Sequence, residues 1–154
     1  MEGKYKPKRP FKRFQIRWRE ALGKPECPYL YRWTFLFFGF SIRIHHWLKS
    51  DDRRYFHDHG SDLISLILKG RYKNVVPDKN SSNGKKEIEV RAGRPWFAKA
   101  EARHYLDIPK GGAWTLLLFW PKRRKWGFWD KENRMLRPVD YFHRYGIIQN
   151  ENYQ

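Results

Sequence analysis

The chain has a single cysteine, Cys27, among 154 residues, which excludes an internal disulfide framework and a cysteine-built zinc site. A lone thiol fits a reducing compartment, and the expected location is the cytoplasm. No apolar run reaches the roughly eighteen residues of a membrane span. The Met1 end is basic and polar with no apolar signal segment, so neither membrane insertion nor secretion is expected. Acidic residues are scarce, 16 against 33 Lys+Arg, for a formal net charge of +17. No P-loop, Rossmann, zinc-finger or RNA-recognition signature occurs, nor any internal repeat, and helical periodicity is almost absent. Aromatic residues, by contrast, are abundant: 8 Trp, 9 Tyr and 11 Phe, too many for a disordered basic tail. The length suits one domain with one core.

The positive charge is uneven. Residues 1–24 hold nine Lys/Arg against Glu2 and Glu20, and read as a basic N-terminal arm. Residues 25–130 read as the folded body and 131–154 as a C-terminal extension. A second basic cluster, Lys122-Arg123-Arg124-Lys125, is flanked by Trp120, Trp126 and Trp129. Cations beside aromatic rings can hold phosphates while the rings stack on bases. Lys12, Arg13, Arg17, Lys122, Arg123, Arg124 and Lys125 are therefore the candidate nucleic-acid contacts; the plainer reading is a charged, soluble surface. The same field favours a small anionic substrate over a cationic one.

Turn signals cut the chain into short strands. Leu30–Phe38 and Phe40–Trp47 are β-branched or aromatic, separated by Gly39. In the second piece Ile42, Ile44 and His46 alternate with Ser41, Arg43 and His45. Phe14–Leu22 is compatible with a short helix or an edge strand. Leu63–Leu68 continues past Gly70 to Val76, and Glu87–Val90 returns across a loop ending in Asn83-Gly84, as in a long hairpin. Short strands follow at 95–100 and 105–108, a buried one at 113–120, and a short helix at 139–145. This series predicts an all-β sandwich or barrel.

Of the 6 histidines, His57, His59 and His104 carry the strongest chemical signal. Two apart on an extended strand, His57 and His59 project from one face and can bind one ion, while Asp58 faces the other way. Asp62 follows Gly60, where a bend can return its carboxylate toward that ion. A site of three histidines and one carboxylate with an open position suits one divalent transition metal: Fe, Mn, Ni or Zn. His45 and His46 end the preceding strand, and either can point into the same cavity or serve in the core or an interface. The spacing does not match the His-x-His-x-Asp-His of metallo-β-lactamase-like hydrolases, nor the His-x-Asp of 2-oxoglutarate oxygenases.

Taken together, the motifs resemble the cupin superfamily. Its first motif, Gly-x5-His-x-His-x3–4-Glu-x6-Gly, is similar to His57-x-His59-x2-Asp62-x7-Gly70 here, with Asp in place of Glu. Its second, Gly-x5-Pro-x-Gly-x2-His-x3-Asn, is similar to Gly93 through His104 with Lys99-Ala100-Glu101 in place of Pro-x-Gly. The segments Ser50-Asp51-Asp52-Arg53, Ser65–Tyr72 and Ala100–His104 more narrowly resemble small cupin-like proteins of bacteria and their phages. The resemblance implies a single-domain jelly-roll barrel with His57, His59 and His104 turned inward to a metal. It also implies a choice among dioxygenase, isomerase or epimerase chemistry and plain binding. Glu101 and Tyr105, beside His104, are the nearest acid/base candidates; a salt bridge and a packed ring are their plainer roles. Cupins often pair into dimers, and the aromatic stretch Trp33–Phe40 is the candidate homodimer contact, with a core role as its plainer reading. The alternative to an enzyme is a non-enzymatic nucleic-acid-binding or structural protein that uses the barrel as a scaffold.

Overall fold

A computed structural model describes residues 14–24 and 26–145. The aromatic and β-branched runs form strands, and Gly, Pro and Asn signals separate them. In chain order these are β1 (Phe14–Lys24), β2 (Cys27–Phe37), β3 (Phe40–Trp47), β4 (Phe56–His57), β5 (Leu63–Pro77) and β6 (Lys85–Arg91). They continue with β7 (Pro95–Ala98), β8 (Tyr105–Asp107), β9 (Ala113–Phe119), β10 (Phe128–Trp129), β11 (Met135–Leu136) and one helix, α1 (Pro138–Arg144). Of the two conformations open to Phe14–Leu22, the edge strand forms: β1 lies outermost against β2. Lys12 and Arg13 lie outside the described residues. No helix among the described residues is long and apolar enough to cross a membrane.

The chain is an all-β jelly roll of two antiparallel sheets that share one bent strand. The first runs β1-β2-β3-β9-β5, with β7 on the far side of β5. The second takes the later half of β5, flanked by β6 and β8, and reaches β4, β10 and β11 through a bridge between His104 and His57. β5 passes from one sheet to the other at a register shift between Ile67 and Lys69, followed by Gly70 at φ 85°. A Cβ on Gly70 would stand 2.8 Å from the Gly112 carbonyl oxygen, so the bend requires glycine on steric as well as torsional grounds.

Strand alternation distributes polarity in an unusual way. One end of the interior is an apolar cluster of Leu22, Leu30, Trp47, Ile67, Tyr72, Leu106, Ile108 and Ala113. Farther along, buried Arg32, Thr34, Ser41, His45, Ser65 and Thr115 occupy the interior. The opposite face of the same sheet is apolar. One cross-strand row there runs Ile16, Phe35, Ile42, Leu118, Ile64, Phe97 across β1, β2, β3, β9, β5 and β7. Ile16, Phe35, Ile42 and Phe97 in that row are exposed. A solvated antiparallel sheet ordinarily buries its apolar face and exposes the polar one; here Ile42 points out while Arg43 and His45 point in.

Candidate metal centre

The site begins with backbone pairing. His57 N–H donates to the His104 carbonyl at 2.8 Å and His104 N–H returns to the His57 carbonyl at 2.9 Å. Such a mutual pair places both side chains on one face of adjacent strands. His59 follows in phase, held by its own N–H to the Ala100 carbonyl at 2.9 Å. The three imidazoles converge so that one nitrogen from each lies within 4.8 Å of the others. His59 Nε2 and His104 Nε2 are 2.9 Å apart.

The surroundings prepare these rings for an ion. His104 Nδ1 is 2.6 Å from Asn74 Oδ1, and with that amide oxygen accepting, the proton is fixed on Nδ1 and the Nε2 lone pair is free. His57 Nδ1 lies 3.9 Å from Asp51 Oδ2, a carboxylate held by the Leu106 N–H at 2.8 Å. Burial holds the His59 and His104 imidazoles well below the ordinary histidine range, reinforced by mutual proximity with His57 and, for His59, by Arg43. Both are therefore neutral at physiological pH, as metal ligands must be. Two nitrogens about 2.1 Å from one ion at a right angle stand about 3.0 Å apart, close to the observed separation. Without an ion, that separation suits a hydrogen bond from His59 Nε2–H to the His104 lone pair. The donor set fits a divalent transition metal.

The other sequence candidates lie elsewhere. Asp62 is outside the three-histidine group; its Oδ1 accepts from Ala100 N–H and from Arg123 Nη2, both at 2.8 Å. Those two donors, in that order, hold its carboxyl below the usual range. Glu101 is exposed and gripped by Arg123 through contacts of 2.5 and 2.8 Å, which push its carboxyl down to about 2. Tyr105 follows His104 and takes the opposite face of β8, where its ring packs on Phe56 at 5.4 Å and Lys85 reaches its hydroxyl at 3.4 Å. Neither Glu101 nor Tyr105 is brought to the three histidines. His45 points into the barrel, whereas His46 stacks on Trp114 at 4.2 Å outside it.

Within the basic cluster, Arg123 serves Asp62 and Glu101, and Arg124 serves Asp58. The facing-away residue of the His-x-His motif is 1% exposed; it takes Arg124 Nη1 at 2.6 Å and the Gly127 N–H at 2.8 Å. Arg124 also reaches the His59 and Ala100 carbonyls, so this guanidinium clamps the segment after β9 onto the histidine-bearing strand. Gly60 permits the approach: a Cβ there would come within 2.9 Å of Lys122 Cε. Arg17 lies in β1, 3.6 Å from Glu20. A cavity of about 100 Å³ opens beside His104, lined in part by Asn74, Trp96, Ala98, Ala102 and Arg103.

Sequence reasoning did not find Asp51, Asn74 or the Asp58–Arg124 pair. An asparagine inside the β-branched run ending at Val76 was the available signal for Asn74.

No protein-family model and no curated protein matches this chain. Solved structures do. A hydroxypropylphosphonic acid epoxidase from S. wedmorenis superposes with TM-score 0.51 at 15% identity, over 66% of this chain and 55% of that one. An Fe(II) form of HppE with the alternative substrate (S)-1-HPP gives 0.52 at 13% identity, over 77% and 64%. The Bacillus subtilis oxalate decarboxylase, with Mn(II) centres, gives 0.51 at 13% identity, over 88% of this chain and 35% of that one. The chain thus spans between a third and two thirds of the length of these proteins. The fold is that of the cupins, as the sequence motifs imply.

Two outcomes are expected. Asp58→Asn leaves Arg124 without its buried carboxylate and lowers stability by about 3 kcal/mol in urea titration; a change below about 0.5 kcal/mol, the level of an ordinary surface substitution, contradicts the clamp. The Glu101–Arg123 pair is exposed, so Glu101→Gln costs at most about 1 kcal/mol. Because the folded carboxyl lies below its ordinary 4.5, that contribution is fully present above pH 4.5 and fades as pH falls toward 2. A wild-type-minus-variant difference that grows on acidification contradicts this assignment.

Proposed function

We propose that the chain is a metal-dependent cupin enzyme in which His57, His59 and His104 hold one divalent transition metal, Fe, Mn, Ni or Zn. The convergence of three imidazoles, with His104 oriented by Asn74, carries this reading. The ion supplies Lewis-acid polarisation and open coordination positions for a substrate atom. Asn74 fixes the His104 tautomer, Asp51 stands 3.9 Å from His57, and the Asp58 clamp holds both strand ends in register. The proposed substrate is a small anion such as a sugar or nucleotide derivative, favoured by the net charge of +17. Reaction of dioxygenase or isomerase type is consistent with the fold's range, and Fe(II) and Mn(II) are the ions named for the neighbouring structures.

The apolar outer face supports a homodimer. Its central row from Ile16 to Phe97 contains no charge, so two copies can meet there without opposing cations at the centre. The candidate contact from the sequence, Trp33–Phe40, overlaps this face at Phe35.

Elemental analysis of the untagged full chain is expected to return about one transition metal per chain, lost in His57→Ala and in His104→Ala. Wild type free of metal after growth and purification without chelators, with its fold intact, contradicts the reading. In sedimentation the wild type is expected at twice the 18.9 kDa chain mass, with Ile42→Glu at the chain mass itself. A monomeric wild type at tens of micromolar overturns the dimer.

A further inference from the structure

The inward face of β1–β3 holds a cluster of guanidinium and hydrogen-bonding groups, several of them without a partner among the described residues. Arg17, Thr34 and Arg43 are aligned across β1, β2 and β3, and Glu20, Arg32 and His45 form the neighbouring row. Among the described residues Glu20 is the carboxylate that meets Arg17 and Arg32. Glu20 is committed to Arg32 through contacts of 3.1 and 2.9 Å and touches Arg17 at 3.6 Å. Arg43 has no carboxylate partner among the described residues; its Nε donates to Ser41 Oγ at 3.2 Å, and its guanidinium lies 4.3 Å over the Phe119 ring.

Burial, then the charges of Arg32 and Arg17, push Arg43 down to about 9, so it stays a cation at neutral pH. Around it, Thr34 Oγ1 and both ring nitrogens of His45 are buried without a hydrogen-bond partner. Those residues are only 5% and 7% exposed. Burial, with Arg32, Arg43 and His59 nearby, keeps His45 neutral, so it offers one donor and one acceptor. The ring of Phe119 that carries Arg43 also lies 6.1 Å from the His59 ring, which puts this cluster beside the three histidines. Buried polar groups left unpaired and a cation left unbalanced destabilise a barrel unless a ligand completes them.

We infer that this face is an anion subsite, in which Arg43, backed by Arg17 and Arg32 and joined by Thr34 and His45, takes the phosphate or phosphonate group of the substrate. A dianion brings more charge and more acceptor oxygens to these guanidinium groups than a monocarboxylate does. The inference rests on the metal reading only for what lies at the ligand's other end, which faces His57, His59 and His104.

The test measures binding of inorganic phosphate and of acetate by calorimetry at constant ionic strength. It uses the full chain as purified and after removal of metal with a chelator, for wild type, Arg43→Met and Arg17→Met. Phosphate is expected to bind wild type in both states, at least tenfold tighter than acetate. Arg43→Met loses at least tenfold in affinity and Arg17→Met loses less. Arg43→Met without ligand is also expected to melt at or above wild type, because it removes a cation that no carboxylate among the described residues pairs. Phosphate binding that vanishes with the metal while Arg43→Met binds like wild type overturns the subsite and leaves the metal centre standing. A loss of stability in Arg43→Met with phosphate affinity unchanged makes Arg43 a structural residue and overturns it as well. Metal-free wild type that binds phosphate normally, from a preparation that never held metal, keeps the subsite while removing the metal reading.

Discussion

Two backbone hydrogen bonds between His57 and His104 connect parts of the chain that are far apart in sequence, and the rest of the site follows from them. They close the second sheet by joining β4 to β8, and they set two imidazoles side by side on its inner face. With that register fixed, strand alternation brings His59 into the same group and turns Asp58 outward. The outward Asp58 is then the anchor for Arg124 and Gly127, which pin down the long segment after β9. A register slip of one residue would turn the imidazoles out and the carboxylate in. The three-histidine group and the packing of the C-terminal segment therefore depend on the same pairing.

The first sheet shows a second constraint, a reversal of the ordinary polarity of strands. Serine, threonine, histidine and arginine side chains occupy the interior where leucine and valine would give more stability. A chain of this size has little stability to spare. Apolar burial comes instead from the cluster around Trp47, Tyr72 and Leu106 and from a second one of Leu63, Ala98, Leu117 and Phe119. The same reversal places Ile42 and Phe97 on the outside, so the polar interior and the apolar outer face are two consequences of one alternation.

Much of this was legible in the sequence, for identifiable reasons. The strands were marked by Gly39, Gly70, Asn83-Gly84 and Gly111-Gly112, and His57 with His59 by period two. His104 had no local signal beyond its place before a strand; it entered through the resemblance to the cupins. Which face of β3 turns inward was not legible, because alternation gives two faces and only the closed barrel chooses between them. The basic cluster 122–125 illustrates a different limit. A run of cations does not reveal its partners, and the carboxylates that take Arg123 and Arg124 come from Asp58, Asp62 and Glu101, more than twenty residues earlier. Asn74 and Asp51 likewise reach the imidazoles from other segments of the chain, which no local pattern encodes.

The central claim is that three imidazoles from two separated segments meet one ion. X-ray absorption at the metal edge, recorded on the metal-loaded full chain, tests it most directly. The account predicts three imidazole nitrogens at about 2.0–2.2 Å, with the outer-ring scattering that histidine produces. It also predicts two imidazoles when His104 is replaced by Ala and any ion is retained. A first shell of oxygen alone, or of sulfur from Cys27, would contradict it.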